Sequence, residues 1–104
     1  CRATMETVAI VTAVVNAPEP TAAVRAAAGR VLGPENILEH RTMAAEDMGF
    51  ILEEIPGCYF FVGCSNGNPA THYAHHHPCF DFDERAMVNG VAIMAEAAGS
   101  YVLV

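Results

Sequence analysis

Residues 6–15 read ETVAIVTAVV, a run of Val, Ile and Thr whose branched side chains suit the pleated surface of a strand. The run breaks at residues 16–20, NAPEP, and beyond it the period changes. Val24, Ala28, Val31 and Leu32 recur at i, i+4, i+7 and i+8, one face of a helix. The spacing predicts a helix over residues 20–32, closed by Gly33 and Pro34 in the usual C-terminal manner. Residues 36–39 suit a short strand. Residues 46–55 suit a second helix, whose leading acids Glu46 and Asp47 face the positive end of the helix dipole and which Pro56-Gly57 stops.

Residues 58–62, CYFFV, form a continuous apolar run ended by Gly63, the pattern of a strand buried on both faces of a parallel sheet. Turn chemistry follows at Ser65-Asn66-Gly67-Asn68-Pro69 and opens a loop. Asp83 suits the N-cap of a final helix with Met87, Val91, Met94, Ala95, Ala98 and Tyr101 or Val102 on its buried side. The order strand, helix, strand, helix, strand, loop, helix implies an α/β fold. In such sheets ligands bind at the carboxyl ends of strands, which gives the loop after residues 58–62 a functional position.

Composition sharpens this picture. The 104 residues amount to one small domain or a piece of a larger one, yet 53% are hydrophobic and only 16% charged, so part of the apolar surface is expected to face other protein. A formal charge of -7 with five basic residues argues against nucleic acid and anionic membrane as partners. No apolar run approaches the roughly 20 residues that span a bilayer. Four cysteines without a CxxC pair, and without a preceding signal segment, imply reduced thiols in the cytoplasm. A first residue Cys1 rather than Met suggests a processed product or a segment of something longer.

The densest chemistry lies at residues 71–84, THYAHHHPCFDFDE, where His72, His75, His76 and His77 fall within six residues. Neutral imidazole is the commonest protein ligand for zinc and similar metals. Neighbouring side chains on an extended segment diverge, so at most one or two of His75, His76 and His77 share a metal. Asp81 and Asp83 suit loop ordering and helix capping.

Three ordered stretches carry a resemblance: Met43-Ala44-Ala45-Glu46-Asp47-Met48, Ile55-Pro56-Gly57-Cys58-Tyr59-Phe60-Phe61-Val62-Gly63, and His76-His77-Pro78-Cys79-Phe80-Asp81-Phe82-Asp83-Glu84. Together they resemble the carboxyl-terminal part of the M20 metallopeptidase family. Within it they are most similar to the amidohydrolase branch that cleaves N-acyl amino acids, such as hippurate and auxin-conjugate hydrolases, where these stretches read like MGAEDF, VPGxFFxxG and HxPxFDFDE. Ala44 stands where the family has glycine, Met48 where it has phenylalanine, and Val88 where a Leu-Pro pair often begins the last helix.

The resemblance implies that residues 17–104 are the C-terminal portion of a zinc-exopeptidase-like α/β catalytic domain. Residues 1–16 would be the last strand and linker of the satellite domain through which such enzymes dimerise. It implies a two-metal site, with zinc or manganese the expected ions, in which His76, two residues before Pro78, is the final ligand. Glu46, Asp47, His75 and His77 are expected to line the site. The family's other ligands and its general base, one glutamate of a Glu-Glu pair, belong to segments upstream of those matched here. No catalytic residue is therefore expected in this chain, which would supply one ligand and part of the pocket. The implied partners are the N-terminal half of the same enzyme, a small N-acyl amino acid substrate and a second copy of the protein. The competing expectation is a free-standing noncatalytic module that binds metal or dimerises through its apolar helix faces.

Overall fold

The computed structural model describes residues 1–8 and 10–102 and contains three α-helices. They are α1 (Pro18–Leu32), α2 (Met48–Glu54) and α3 (Ala86–Val102), with single 3-10 turns at Pro34–Asn36 and Pro69–Thr71. Helix α1 begins two residues earlier than its apolar period suggests, because Pro18 and Pro20 are tolerated in a first turn whose N–H groups have no intrahelical partners. It ends at Gly33, whose φ of 85° and ψ of 140° only glycine adopts without strain, and whose N–H donates to Gly29 O at 3.0 Å. Helix α2 is shorter than expected at both ends. Asp47 occupies its N-cap position, while the Glu46 carboxylate accepts the Met48 N–H at 3.3 Å. Asp83 caps the turn that feeds α3: its carboxylate accepts the Arg85 N–H at 3.0 Å and its carbonyl the Ala86 N–H at 3.0 Å.

Helices α1 and α3 pack together and enclose Ala27, Ile93 and Ala97, the buried apolar side chains among the described residues. Arg30 and Glu96 form an ion pair between the two helices, exposed and so worth at most about 1 kcal/mol. Val24, Ala28, Val31 and Leu32 are half-buried, as their period implies. The expected buried face of α3 is corrected. Met87, Val91, Met94, Ala95, Ala98, Tyr101 and Val102 are all exposed, and the buried positions are Ile93 and Ala97. Residues 86–102, AMVNGVAIMAEAAGSYV, are apolar nearly all round, so periodicity alone does not say which stripe meets α1.

The expected strands are not seen paired among the described residues, neither at 6–15, where Ala9 lies outside the description, nor at 36–39 or 58–62. The α/β architecture and the satellite strand are therefore not built by this chain alone. The physical reason is that a strand, unlike a helix, takes its hydrogen bonds from neighbouring segments, and a parallel strand needs neighbours brought from far along a chain. The chain stays open: its radius of gyration is 17.5 Å, against about 13 Å for a compact domain of this length. Its accessible surface is 8604 Å², against about 5,700 Å² from the size scaling of folded monomers.

Candidate functional site

The loop between residues 58–62 and α3 is ordered by its own polar groups. Thr71 is buried; its hydroxyl donates to Asn68 O at 2.8 Å and accepts the Asn66 N–H at 3.4 Å. Asn68 Oδ1 in turn accepts the Ala70 N–H at 3.1 Å, the Asx geometry that Asn favours in turns. The far end closes where the Asp83 N–H donates to Cys64 O at 2.8 Å.

Two successive turns present the histidines. The His77 N–H donates to Ala74 O at 3.1 Å, and the Phe80 N–H to His77 O at 2.9 Å. Pro78 follows His77, so its fixed φ favours the second turn. Between these bonds His76 takes a φ of 68°, the left-handed region, and no other described non-glycine residue does so. Strained backbone of this kind concentrates at functional sites, although histidine tolerates it better than a bulky aliphatic residue.

The neighbouring imidazoles make different contacts. His77 stacks on Tyr73 with ring centroids 4.3 Å apart and planes 13° from parallel, and its Nδ1 accepts the Cys79 N–H at 3.0 Å. His75 meets Phe80 edge-on at 5.0 Å. Among the described residues, His76 makes no hydrogen bond through its ring, and its one aromatic contact is the edge of His75 at 6.2 Å. Of the three adjacent histidines the structure thus sets His77 apart, as the one with a ring nitrogen already occupied.

Glu46 and Asp47 make contacts of their own. Among the described residues no hydrogen bond, ion pair or ring contact joins them to the histidine turn. Glu46 accepts the Tyr59 hydroxyl at 2.8 Å, and Tyr59 continues edge-on into Phe61 at 5.2 Å and Phe61 into His40 at 5.3 Å. The adjoining Asp47 side chain, and then hydrogen bonds from the Tyr59 hydroxyl and the Met48 N–H, hold the Glu46 carboxyl below its usual range; the same carboxylate raises the Tyr59 hydroxyl. Ala44, where glycine was expected, is exposed and has no positive φ, so the alanine imposes no backbone strain there.

An exposed imidazole without a ring hydrogen bond, as at His76, suits one bond to a transition metal. Among the described residues no three His, Cys, Asp or Glu side chains converge as a metal set would require. Any metal held by His76 would therefore take at least part of its ligand set from outside these residues. Sequence reasoning missed Thr71, Tyr73, Tyr59 and Asn16. Nothing in the residue pattern marks them, since each acts through a contact that the folded backbone creates.

With this geometry in view, the chain's relatives bear on what the turn belongs to. Residues 2–100 match the profile described as Peptidase family M20/M25/M40, and the chain belongs to this family. It is 34% identical over 90 residues to "Putative amidohydrolase YhaA" of Bacillus subtilis, a match covering 86% of this chain and 23% of that protein. To "IAA-amino acid hydrolase ILR1-like 4" of Arabidopsis thaliana it is 34% identical over 76 residues, 72% of this chain and 17% of that protein. It is also 39% identical over 79 residues to "Putative glutamate--cysteine ligase 2-3" of Rhodococcus jostii, covering 75% of this chain and 10% of that protein, nearly all of which lies outside the match. The chain thus spans less than a quarter of the length of these relatives. No solved structure matches it. No helix among the described residues is long and apolar enough to cross a membrane.

Proposed function

We propose that this chain is the carboxyl-terminal part of a metal-dependent amidohydrolase that cleaves the amide bond of N-acyl amino acids. The observation that carries the proposal is His76: a left-handed residue at the tip of an ordered turn, its ring without a hydrogen bond while the Nδ1 of the adjacent His77 is occupied. The amidohydrolase and amino acid hydrolase names of the relatives agree with it. In this reading His76 supplies one ligand, and the remaining ligands and the general base come from the rest of the polypeptide. A bound divalent metal, zinc or manganese, would supply Lewis-acid activation of water and of the amide carbonyl. This chain's own residues hold the ligand and shape the pocket beside it, with His75, His77, Glu46 and Asp47 as lining groups.

The same reading explains the open surface. The rest of the catalytic domain would cover the exposed apolar stripe of α3 and pair with residues 58–62 to complete an α/β sheet. Residues 1–16 would join the satellite domain and a second copy of the enzyme. The excess surface weighs against a self-sufficient module. Four free cysteines agree with a cytoplasmic enzyme.

The test uses the complete enzyme, with metal stoichiometry and hippurate turnover measured for single variants. His76→Ala is expected to lower metal occupancy and activity by orders of magnitude, whereas His75→Ala and His77→Ala cost at most about 10- to 100-fold. Equal losses at the three positions, or a fully metallated and active His76→Ala enzyme, would show that the ligand is wrongly assigned. The 104-residue chain alone is expected to show no turnover above background.

A further inference from the structure

Three adjacent imidazoles on one turn pose a selection problem, because each is exposed and each offers two nitrogens. The geometry around His77 addresses it. Its Nδ1 accepts the Cys79 N–H at 3.0 Å, so in the neutral ring the proton sits on Nε2. A ring in that state has one in-plane lone pair occupied by a backbone donor and none on its outward nitrogen. It is closed to a metal while the bond holds. That bond requires a fixed ring plane, and the group fixing it is Tyr73, stacked on the imidazole at 4.3 Å and within 13° of parallel. On the other side His75 lies edge-on to Phe80, which is itself stacked on Phe82 at 6.2 Å.

We propose that Tyr73 is a positioning residue of the histidine turn: by holding His77 in its Nε2–H state, it keeps that ring from competing with His76 for metal. The proposal rests on the reading of His76 as a ligand and adds how the chain prevents its neighbour from competing. Tyr73 touches neither metal nor substrate in this scheme. It works through the His77 ring, and the ring's stacking surface, rather than the phenol hydroxyl, is what matters.

The experiment uses the 104-residue chain, nitrogen-15 labelled, at a mildly alkaline pH. Long-range proton–nitrogen correlation spectra report the tautomer of each ring, and substoichiometric Co²⁺ serves as a paramagnetic probe. In the wild-type chain His77 is expected in the Nε2–H form with a slowly exchanging Cys79 N–H, and Co²⁺ is expected to broaden the His76 ring first. Tyr73→Leu should mix the His77 tautomers, expose the Cys79 N–H and spread the broadening to His77. Tyr73→Phe, which keeps the ring, should behave as wild type. Circular dichroism checks that the helices persist, and Tyr73 is 44% exposed, so its replacement leaves the α1–α3 core intact. An Nδ1–H His77 in the wild-type chain, or a Tyr73→Leu chain with unchanged tautomer and broadening pattern, would overturn the proposal. Equal broadening of all three rings with the His77 tautomer intact would also overturn it, whereas broadening that begins at His75 while His77 stays Nε2–H and sharp would sink the ligand reading but support the hold of Tyr73 on His77.

Discussion

The side-chain amide of Asn16 exchanges two hydrogen bonds with the backbone of Tyr59: Nδ2 donates to Tyr59 O and the Tyr59 N–H donates to Oδ1, both at 2.8 Å. This is the exchange that an opposed residue makes in a hydrogen-bonded strand pair, performed here by a side chain. One step on, the Ala17 N–H donates to Gly57 O at 2.9 Å. Residues 16–17 thus lie alongside 57–59, and the Tyr59 ring is aimed so that its hydroxyl reaches Glu46.

Replacing Asn16 by alanine removes both bonds and leaves the Tyr59 N–H and carbonyl to solvent. At about 0.5–1.5 kcal/mol per net hydrogen bond, and at the lower end for an exposed pair, Asn16→Ala should cost about 1–2 kcal/mol. Urea unfolding followed by circular dichroism gives that difference, and hydrogen exchange at the Tyr59 N–H should accelerate. An unchanged exchange rate would show that the pairing does not persist in solution.

Two helical glycines should respond to alanine with opposite signs. A Cβ on Gly49 of α2 would stand 2.7 Å from both the Thr12 Cγ2 and the Thr12 carbonyl oxygen, and the backbone atom has no rotamer by which to withdraw. Overpacking of about 1–3 kcal/mol then outweighs the gain of about 1 kcal/mol in helix propensity, so Gly49→Ala should destabilise. On Gly29 of α1 the nearest atom to an added Cβ is Ile37 Cδ1 at 3.7 Å, an ordinary contact, and Gly29→Ala should stabilise by about 1 kcal/mol. Melting curves of the two variants would decide, and a shared sign would refute the argument.

Helices α1 and α2 were legible because their information is local: an apolar period, prolines at the start, Gly33 or Pro56-Gly57 at the end. The strands were not, because residues 58–62 specify a surface to be covered and leave the covering segments to the rest of the protein. Only the face of α3 that meets α1 is settled by this chain, and its sequence does not distinguish that face from the exposed one. At the site, the motif singled out His76 by position, and Asp83 was recognisable as a cap. The roles of Tyr73 and His77 were hidden, since they depend on a left-handed φ at a residue that gives no glycine-like sign of it.

Acid should loosen the base of the loop before it affects the helices. The Arg85 side chain, and then the Arg85 N–H, hold the Asp83 carboxyl well below its ordinary 3.8. A carboxyl lowered on folding contributes stability that is fully present above 3.8 and is lost as pH falls through the folded value. The Glu46–Tyr59 contact fails at both extremes. Glu46, lowered from 4.5, loses its contribution in acid; Tyr59, raised from 10.0, contributes fully below that value and loses it as pH rises through the folded one. Asp83→Asn should weaken the loop at neutral pH and remove this part of its acid sensitivity, as read from amide exchange at the Asp83 position. Tyr59→Phe should do the same for the alkaline limb. An acid response of the loop equal in wild type and Asp83→Asn would point to another group.

The left-handed backbone at His76 makes a prediction that separates stability from metal binding. A non-glycine residue in that region carries a cost on the order of 1–2 kcal/mol, against which glycine adds back about 0.5–1 kcal/mol of entropy lost on folding. His76→Gly should therefore be as stable as wild type or up to about 1 kcal/mol more stable. His76→Asn, with a side chain that tolerates this region, should fall close to wild type, and His76→Ala, which keeps a Cβ and gains no local hydrogen bond, should be the least stable of the three. All three lose the imidazole, so all three should lose the His76-dependent Co²⁺ response equally. Unfolding midpoints measured beside the paramagnetic titration would show stability varying across the series while metal response stays flat. An alanine variant more stable than the glycine variant would mean that position 76 does not hold a left-handed conformation in solution, and the free presentation of its ring would lose its structural basis.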